Sequence, residues 1–181
     1  MRKFFVISFT LLLGAFFIFS CSKSKTQSET NATKTKKAIF QNFVLQDLDG
    51  NSVDLYKEFK DKNKIIIVDL FATWCGPCRM EIPGFVSLNN TYKDKVIVVG
   101  VSFDRGGDVN AIKKFASQMK MNYTILRGTQ ALAQYVQLRG IPRTFVLNPD
   151  FSIAKDMLGY HSKQEFEKLI LDLSKKLGSI I

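Results

Sequence analysis

Cys75 and Cys78 are separated by Gly76 and Pro77, and the pair lies where the pattern of the chain changes. Before it, Ile65-Ile66-Ile67-Val68 is an unbroken β-branched run that reads as a strand buried on both faces. From Pro77 onward the pattern is helical: the proline suits a first turn, and Ile82, Phe85, Val86 and Leu88 recur roughly every three to four residues. The cysteines therefore fall at a strand-to-helix junction, where free backbone N–H groups and the positive end of the helix dipole stabilise a thiolate. Cys75 is expected to be the acidic thiol, brought from about 8.5 into the range of roughly 3.5 to 7.5 found for such motifs. Its thiolate would attack a disulfide to give a mixed disulfide, and Cys78, one turn further in, would resolve it.

Two other uses of the same pair are open at this level. Cys-x-x-Cys is also a zinc-ligand spacing, but zinc takes four ligands, and outside the pair the chain offers only Cys21 and its one histidine, His161. No metal is expected. A purely structural disulfide is the other alternative, although a bridge across so short a loop gains little chain entropy.

Trp74-Cys75-Gly76-Pro77-Cys78 resembles the active-site signature of thioredoxins, with Asp69, six residues before the first cysteine, at the place of that family's buried aspartate. Cys78-Arg79-Met80-Glu81-Ile82-Pro83 and Val98-Val99-Gly100-Val101-Ser102-Phe103-Asp104 are similar to the TlpA/ResA-type anchored thioredoxins of bacterial cell envelopes. The resemblance covers residues 39 to 181. It implies an α/β thioredoxin-like fold, with a central mixed β-sheet flanked by helices and an N-terminal β-hairpin extension. It further implies that Asp69 assists proton transfer at Cys78, and that Ile141-Pro142 is a cis bond lying against the catalytic disulfide and leaving backbone free to pair with an extended substrate. Trp74, Gly76 and Pro77 support the site. Arg143 stands where these families commonly carry threonine, and it brings a positive charge to the substrate groove or simply ends a strand in solvent. No cofactor is implied beyond the redox-active Cys75/Cys78 disulfide.

The residues themselves add to Asp69 and Trp74. An acid at the end of an aliphatic strand is costly to bury, so its pKa should rise toward the range useful for proton exchange with a thiol. Trp74 is expected to shield Cys75 and shape a docking surface.

The elements that must hold these residues are legible in outline. Phe43–Gln46 and Ser52–Leu55 flank Asp47-Leu48-Asp49-Gly50-Asn51 as a hairpin with Asp-Gly turn chemistry. Asp47, Asp49 and Asn51 alternate like calcium ligands, with Glu58 at position 12, but Gly50 at position 4 is out of register for an EF-hand loop. Val96–Val101 reads as a second buried strand, and Asp108 caps a helix running to about Met119. Tyr123–Leu126, Arg143–Leu147 and Ile153–Leu158 read as strands, Thr129–Val136 as a short helix and Lys163–Leu177 as a closing amphipathic helix. Gly106-Gly107 lacks the spacing of a phosphate cradle and reads as a turn. His161, at the entrance of the last helix, is expected at the surface or in a capping role.

The N-terminal segment is of a different kind. Residues 1–20 carry Arg2-Lys3 and then an apolar run from Phe4 to Phe19, the pattern of an export signal. As a helix that run spans about 24 Å, short of a hydrocarbon core of roughly 30 Å. Cys21 follows directly and resembles the lipidated cysteine of bacterial lipoproteins; alternatively it is a small apolar residue closing the signal. Residues 22–38 contain no aromatic and no branched aliphatic residue and read as a flexible tether. Residues 1–38 hold seven basic residues and one acid, so +6 of the chain's +10 lies outside the domain. A nucleic-acid partner loses its support, and an anionic membrane surface gains some.

Residues 39–181 are then one domain of ordinary single-domain size. The expected activity is protein-disulfide reduction by a lipid-anchored protein on the outer side of the cytoplasmic membrane or in the envelope, recharged by a membrane electron donor. Three rivals share much of this evidence: an oxidase or isomerase on the same fold, a peroxidase of the peroxiredoxin kind, and a non-catalytic binding lipoprotein.

Overall fold

The computed structural model describes residues 37–178. The expected export signal, the lipidated Cys21 and nearly all of the tether lie outside the described residues.

Seven strands form one mixed sheet in the order β2-β1-β5-β4-β3-β6-β7. They are β1 Val44–Asp47, β2 Ser52–Asp54, β3 Ile65–Phe71, β4 Val96–Ser102, β5 Thr124–Arg127, β6 Arg143–Leu147 and β7 Ile153–Leu158. The helices are α1 Leu55–Phe59, α2 Gly76–Thr91, α3 Val109–Gln118, α4 Gln130–Tyr135 and α5 Lys163–Gly178. β3 runs parallel to β4 and antiparallel to β6, and β4 runs parallel to β5. The β1–β2 hairpin extends the sheet through an antiparallel pairing of β1 with β5.

All seven residues of β3 are buried, as an aliphatic strand in the middle of a sheet must be. Alternation then assigns its faces. Ile66, Val68 and Leu70 pack with Phe40, Leu55 and Phe145 on one side, whereas Ile65 and Ile67 pack with Phe85 and Leu88 of α2 and Phe166 and Ile170 of α5 on the other. Phe71 continues that second face, beside Cys75, Cys78 and Ile82. Asp69, between Ile67 and Phe71 in this alternation, lies on the α2 side.

Two boundaries differ from the sequence reading. β2 stops at Asp54, whose carboxylate accepts the Lys57 N–H and caps α1, so Leu55 begins a helix that buries Leu55 and Phe59 one turn apart. β3 continues to Phe71, which puts Asp69 inside the strand rather than at its end. Pro83 sits within α2 and deprives the Arg79 carbonyl of its donor four residues on. At the entrance of α5, the Ser162 N–H donates to Glu165 Oε2 (2.7 Å) and the Glu165 N–H donates to Ser162 Oγ (3.4 Å), a reciprocal cap. No helix among the described residues is long and apolar enough to cross a membrane.

Candidate active site

Cys75 is the N-cap residue of α2 and Pro77 lies in the helix's first turn. The two cysteines are joined as a disulfide, with Cα atoms 5.3 Å apart. Cys75 Sγ accepts the backbone N–H of Cys78 at 3.2 Å, so the sulfur occupies the place where a helix N-terminus offers an unpaired donor. Once the bond is reduced, that donor and the helix dipole favour the thiolate at Cys75. Both cysteines are buried, at 4 % and 1 % exposure, while the neighbouring Trp74 is 65 % exposed. Met80, one turn along α2, is also largely in solvent. Gly76 has open space around its Cα, which leaves the motif's outer surface uncrowded.

Two carboxyl groups are buried here, one in β3 and one on α2. Asp69 is 1 % exposed and Glu81 3 % exposed. Among the described residues neither Asp69 oxygen has a hydrogen-bond partner, and the same holds for Glu81 Oε2, Tyr123 OH and Thr144 Oγ1. Thr144 is the register partner of Asp69 on β6, so the two project from neighbouring positions of the sheet. Burial raises the Asp69 pKa well above its ordinary value, and the nearby Glu81 charge raises it further. Glu81 is pushed up to about 7, chiefly by burial, against the lowering effect of the His161 N–H that donates to its Oε1 at 3.0 Å. Tyr123 is held far above its usual range by burial and by both carboxyl charges. A carboxyl raised to about 7, as Glu81 is, can exchange protons near neutral pH, which suits a site where thiols gain and lose them.

Glu81 was not singled out in the sequence, although a signal for it was present. Cys78, Glu81, Ile82, Phe85 and Leu88 are the buried residues of α2, so the acid stands at a core position of an amphipathic helix. His161 reaches the site only through its backbone; its ring Nδ1 lies 3.2 Å from Glu165 Oε1.

The Ile141–Pro142 bond is cis, and Ile141 packs against the cluster that contains Cys75 and Cys78. The Gly159 N–H donates to the Pro142 carbonyl at 2.8 Å, tying the end of β7 to this turn. Arg143 differs from both sequence readings. Its guanidinium binds Asp156 through Nε (2.9 Å) and Nη2 (2.7 Å), donates to the Val136 and Gln137 carbonyls, and stacks over Phe145. A bidentate ion pair on the neighbouring strand neutralises the charge and holds the side chain at 17 % exposure. Arg143 is thus a brace between β6, β7 and the end of α4 and neither a free cation in the groove nor a solvent-facing strand end.

The AhpC/TSA family model matches residues 37–155. The chain is 27 % identical over 163 residues to the thiol-disulfide oxidoreductase ResA of Bacillus cereus, covering 89 % of this chain and 84 % of the relative. It is 30 % identical over 132 residues to the thioredoxin-like protein YneN of Bacillus subtilis, covering 72 % and 76 %. In fold it is similar to the thioredoxin domain of a thiol-disulfide oxidoreductase from Bacteroides vulgatus, with a TM-score of 0.63, 23 % identity, and coverage of 78 % of this chain and 96 % of that one. StoA from Bacillus subtilis superposes with a TM-score of 0.59 at 21 % identity, covering 71 % and 96 %.

Proposed function

The chain belongs to the AhpC/TSA family, and we propose that within it this protein is a thiol–disulfide oxidoreductase of the bacterial envelope that reduces disulfides in protein clients. The observation that carries this reading is the Cys75–Cys78 disulfide at the N-terminus of α2, with Cys75 as the cap residue, Glu81 buried on the same helix and Asp69 buried in β3. Starting from the dithiol, the Cys75 thiolate attacks one client sulfur, forms a mixed disulfide and expels the other client sulfur as a thiolate. Cys78 loses its proton to the Asp69/Glu81 pair and attacks Cys75 Sγ. The second client thiolate leaves, both client sulfurs are protonated, and the protein is left with the Cys75–Cys78 disulfide. Two electrons and two protons then restore the dithiol; a membrane-bound donor is the proposed source.

Trp74 precedes Cys75 and Ile141 packs against the cysteine cluster, and an extended client segment would dock there by its backbone and apolar side chains. Envelope location is supported by residues 1–38: the basic and apolar leader, Cys21 at its end and a polar, cationic tether. Lipidation of Cys21 would anchor the domain and leave two cysteines to pair.

The test is the reduction potential of the pair in defined thiol buffers. A value near or below about −250 mV supports a reductase supplied by a donor, and one nearer about −120 mV reassigns the protein as an oxidant. A pair that does not cycle would leave a docking module in place of an enzyme.

A further inference from the structure

Thr73 precedes the Trp74-Cys75 step, and every polar group it has is gripped by a side chain from elsewhere. Its N–H donates to both carboxylate oxygens of Asp104, each at 3.1 Å, and its hydroxyl donates to Asp104 Oδ1 at 2.6 Å. Its carbonyl accepts from Arg79 Nη1 at 3.2 Å, and that guanidinium lies over the Phe115 ring. Asp104 is itself held in place. Ser102 Oγ donates to its Oδ2 at 2.7 Å, and its own N–H donates to Ser102 Oγ at 3.2 Å. Ser102, the last residue of β4, is buried at 3 % exposure, and the Phe103 N–H donates to the Phe71 carbonyl at 2.8 Å. Among the described residues Asp104 has no cation within ion-pair distance. Its carboxylate oxygens accept hydrogen bonds from Thr73, in the loop that carries the cysteines, and from Ser102.

We propose that Asp104 is a positioning residue for the dithiol centre, clamping Thr73 so that Cys75 keeps its cap geometry on α2 after the disulfide is opened. In the oxidised protein the covalent bond already confines Cys75 beside the Cys78 N–H. In the dithiol that restraint is gone, and the approach of the chain into the cap depends on the clamp. Asp104 therefore stabilises the reduced, thiolate form more than the disulfide. Removing it raises the Cys75 thiol pKa and makes the pair more reducing, because the less stable partner of the couple is the reduced one. Partial loss of a hydrogen bond to a charged sulfur corresponds to about a tenfold change.

This proposal rests on Cys75 and Cys78 forming a working dithiol, so the wild-type protein is titrated in parallel. The full chain and its Asp104→Ala, Asp104→Asn, Thr73→Val and Thr73→Ser variants are equilibrated with glutathione. The pH dependence of Cys75 alkylation is followed on its own peptide by mass spectrometry. Asp104→Ala is expected to shift the equilibrium constant about tenfold, or about 30 mV for a two-electron couple, toward the disulfide. The alkylation midpoint moves up by about one pH unit with it. Asp104→Asn, which keeps an acceptor for Thr73, stays within about threefold of wild type, as does Thr73→Ser. Thr73→Val, nearly isosteric but without the hydroxyl, shifts the constant in the same direction by more than Thr73→Ser and reads the clamp even where Asp104→Ala does not fold. The clamp is overturned if melting temperatures fall while potentials and alkylation midpoints stay put. It is equally overturned if Asp104→Ala and Asp104→Asn both lower the Cys75 midpoint, since Asp104 would then act only as a negative charge. A wild-type pair that fails to cycle sinks the enzyme reading instead.

Discussion

Glu81→Gln tests the buried acid pair most directly. In the folded protein the Glu81 carboxyl is raised from 4.5 to about 7, mainly because its charged form is taken out of water. A group whose folded pKa lies above its unfolded value binds protons more tightly when folded. Its contribution to stability is complete below about pH 4.5 and is lost as the pH rises through about 7. The whole difference corresponds to about 3 kcal/mol, of which about 2.5 kcal/mol is lost between pH 5 and pH 8. Glutamine keeps the acceptor for the His161 N–H and cannot ionise. Urea unfolding of the oxidised wild type is therefore expected to show a stability decline from pH 5 to pH 8 that exceeds that of Glu81→Gln by about 2.5 kcal/mol. For a domain of this size the excess corresponds to roughly 5 to 10 °C in melting temperature. Asp69 titrates with the same sign, so the readout is the difference between the two proteins and not the slope of either. If both lose stability equally to within about 0.5 kcal/mol over that window, Glu81 carries no raised pKa and the proton-exchange role of the pair fails.

Two further outcomes follow from the same geometry. Asp69→Asn removes a buried acid with no partner for either oxygen, so the oxidised protein should gain stability at pH 8 while mixed-disulfide resolution by Cys78 slows at least roughly tenfold near neutral pH; stopped-flow decay of a trapped mixed disulfide, unchanged in the variant, would remove Asp69 from the mechanism. Trp74→Ala truncates a side chain that is 65 % exposed, so stability should stay within about 0.5 kcal/mol. Exchange with protein disulfides should slow several-fold relative to exchange with a small disulfide, and equal slowing of both would show that Trp74 acts on Cys75 and not on docking.

The cysteine pair and its element were legible because the signals are local. A β-branched run, a proline two residues after Cys75 and apolar residues at helical spacing place Cys75 at a helix N-terminus without reference to any distant residue. The order of strands and helices followed from the same kind of pattern, with the one clear error at Leu55, where a capping aspartate turned a strand end into a helix.

What only the tertiary structure decided are the partners that meet across the sheet. Asp69 lies inside β3 because the strand continues to Phe71, and its face is set by alternation against α2. Glu81 becomes its electrostatic partner only when α2 lies down on that face. Thr73 and Asp104 are 31 residues apart in the chain and meet because β3 and β4 run side by side and end together. Arg143 has an expected role that depends entirely on Asp156, which the β6–β7 register brings opposite Phe145, and that ion pair turns a free cation into a brace. Periodicity and capping act over one or two turns of chain and are written in the sequence itself. Burial of a charge and the partner that answers it depend on which elements pack together, and no local pattern encodes that.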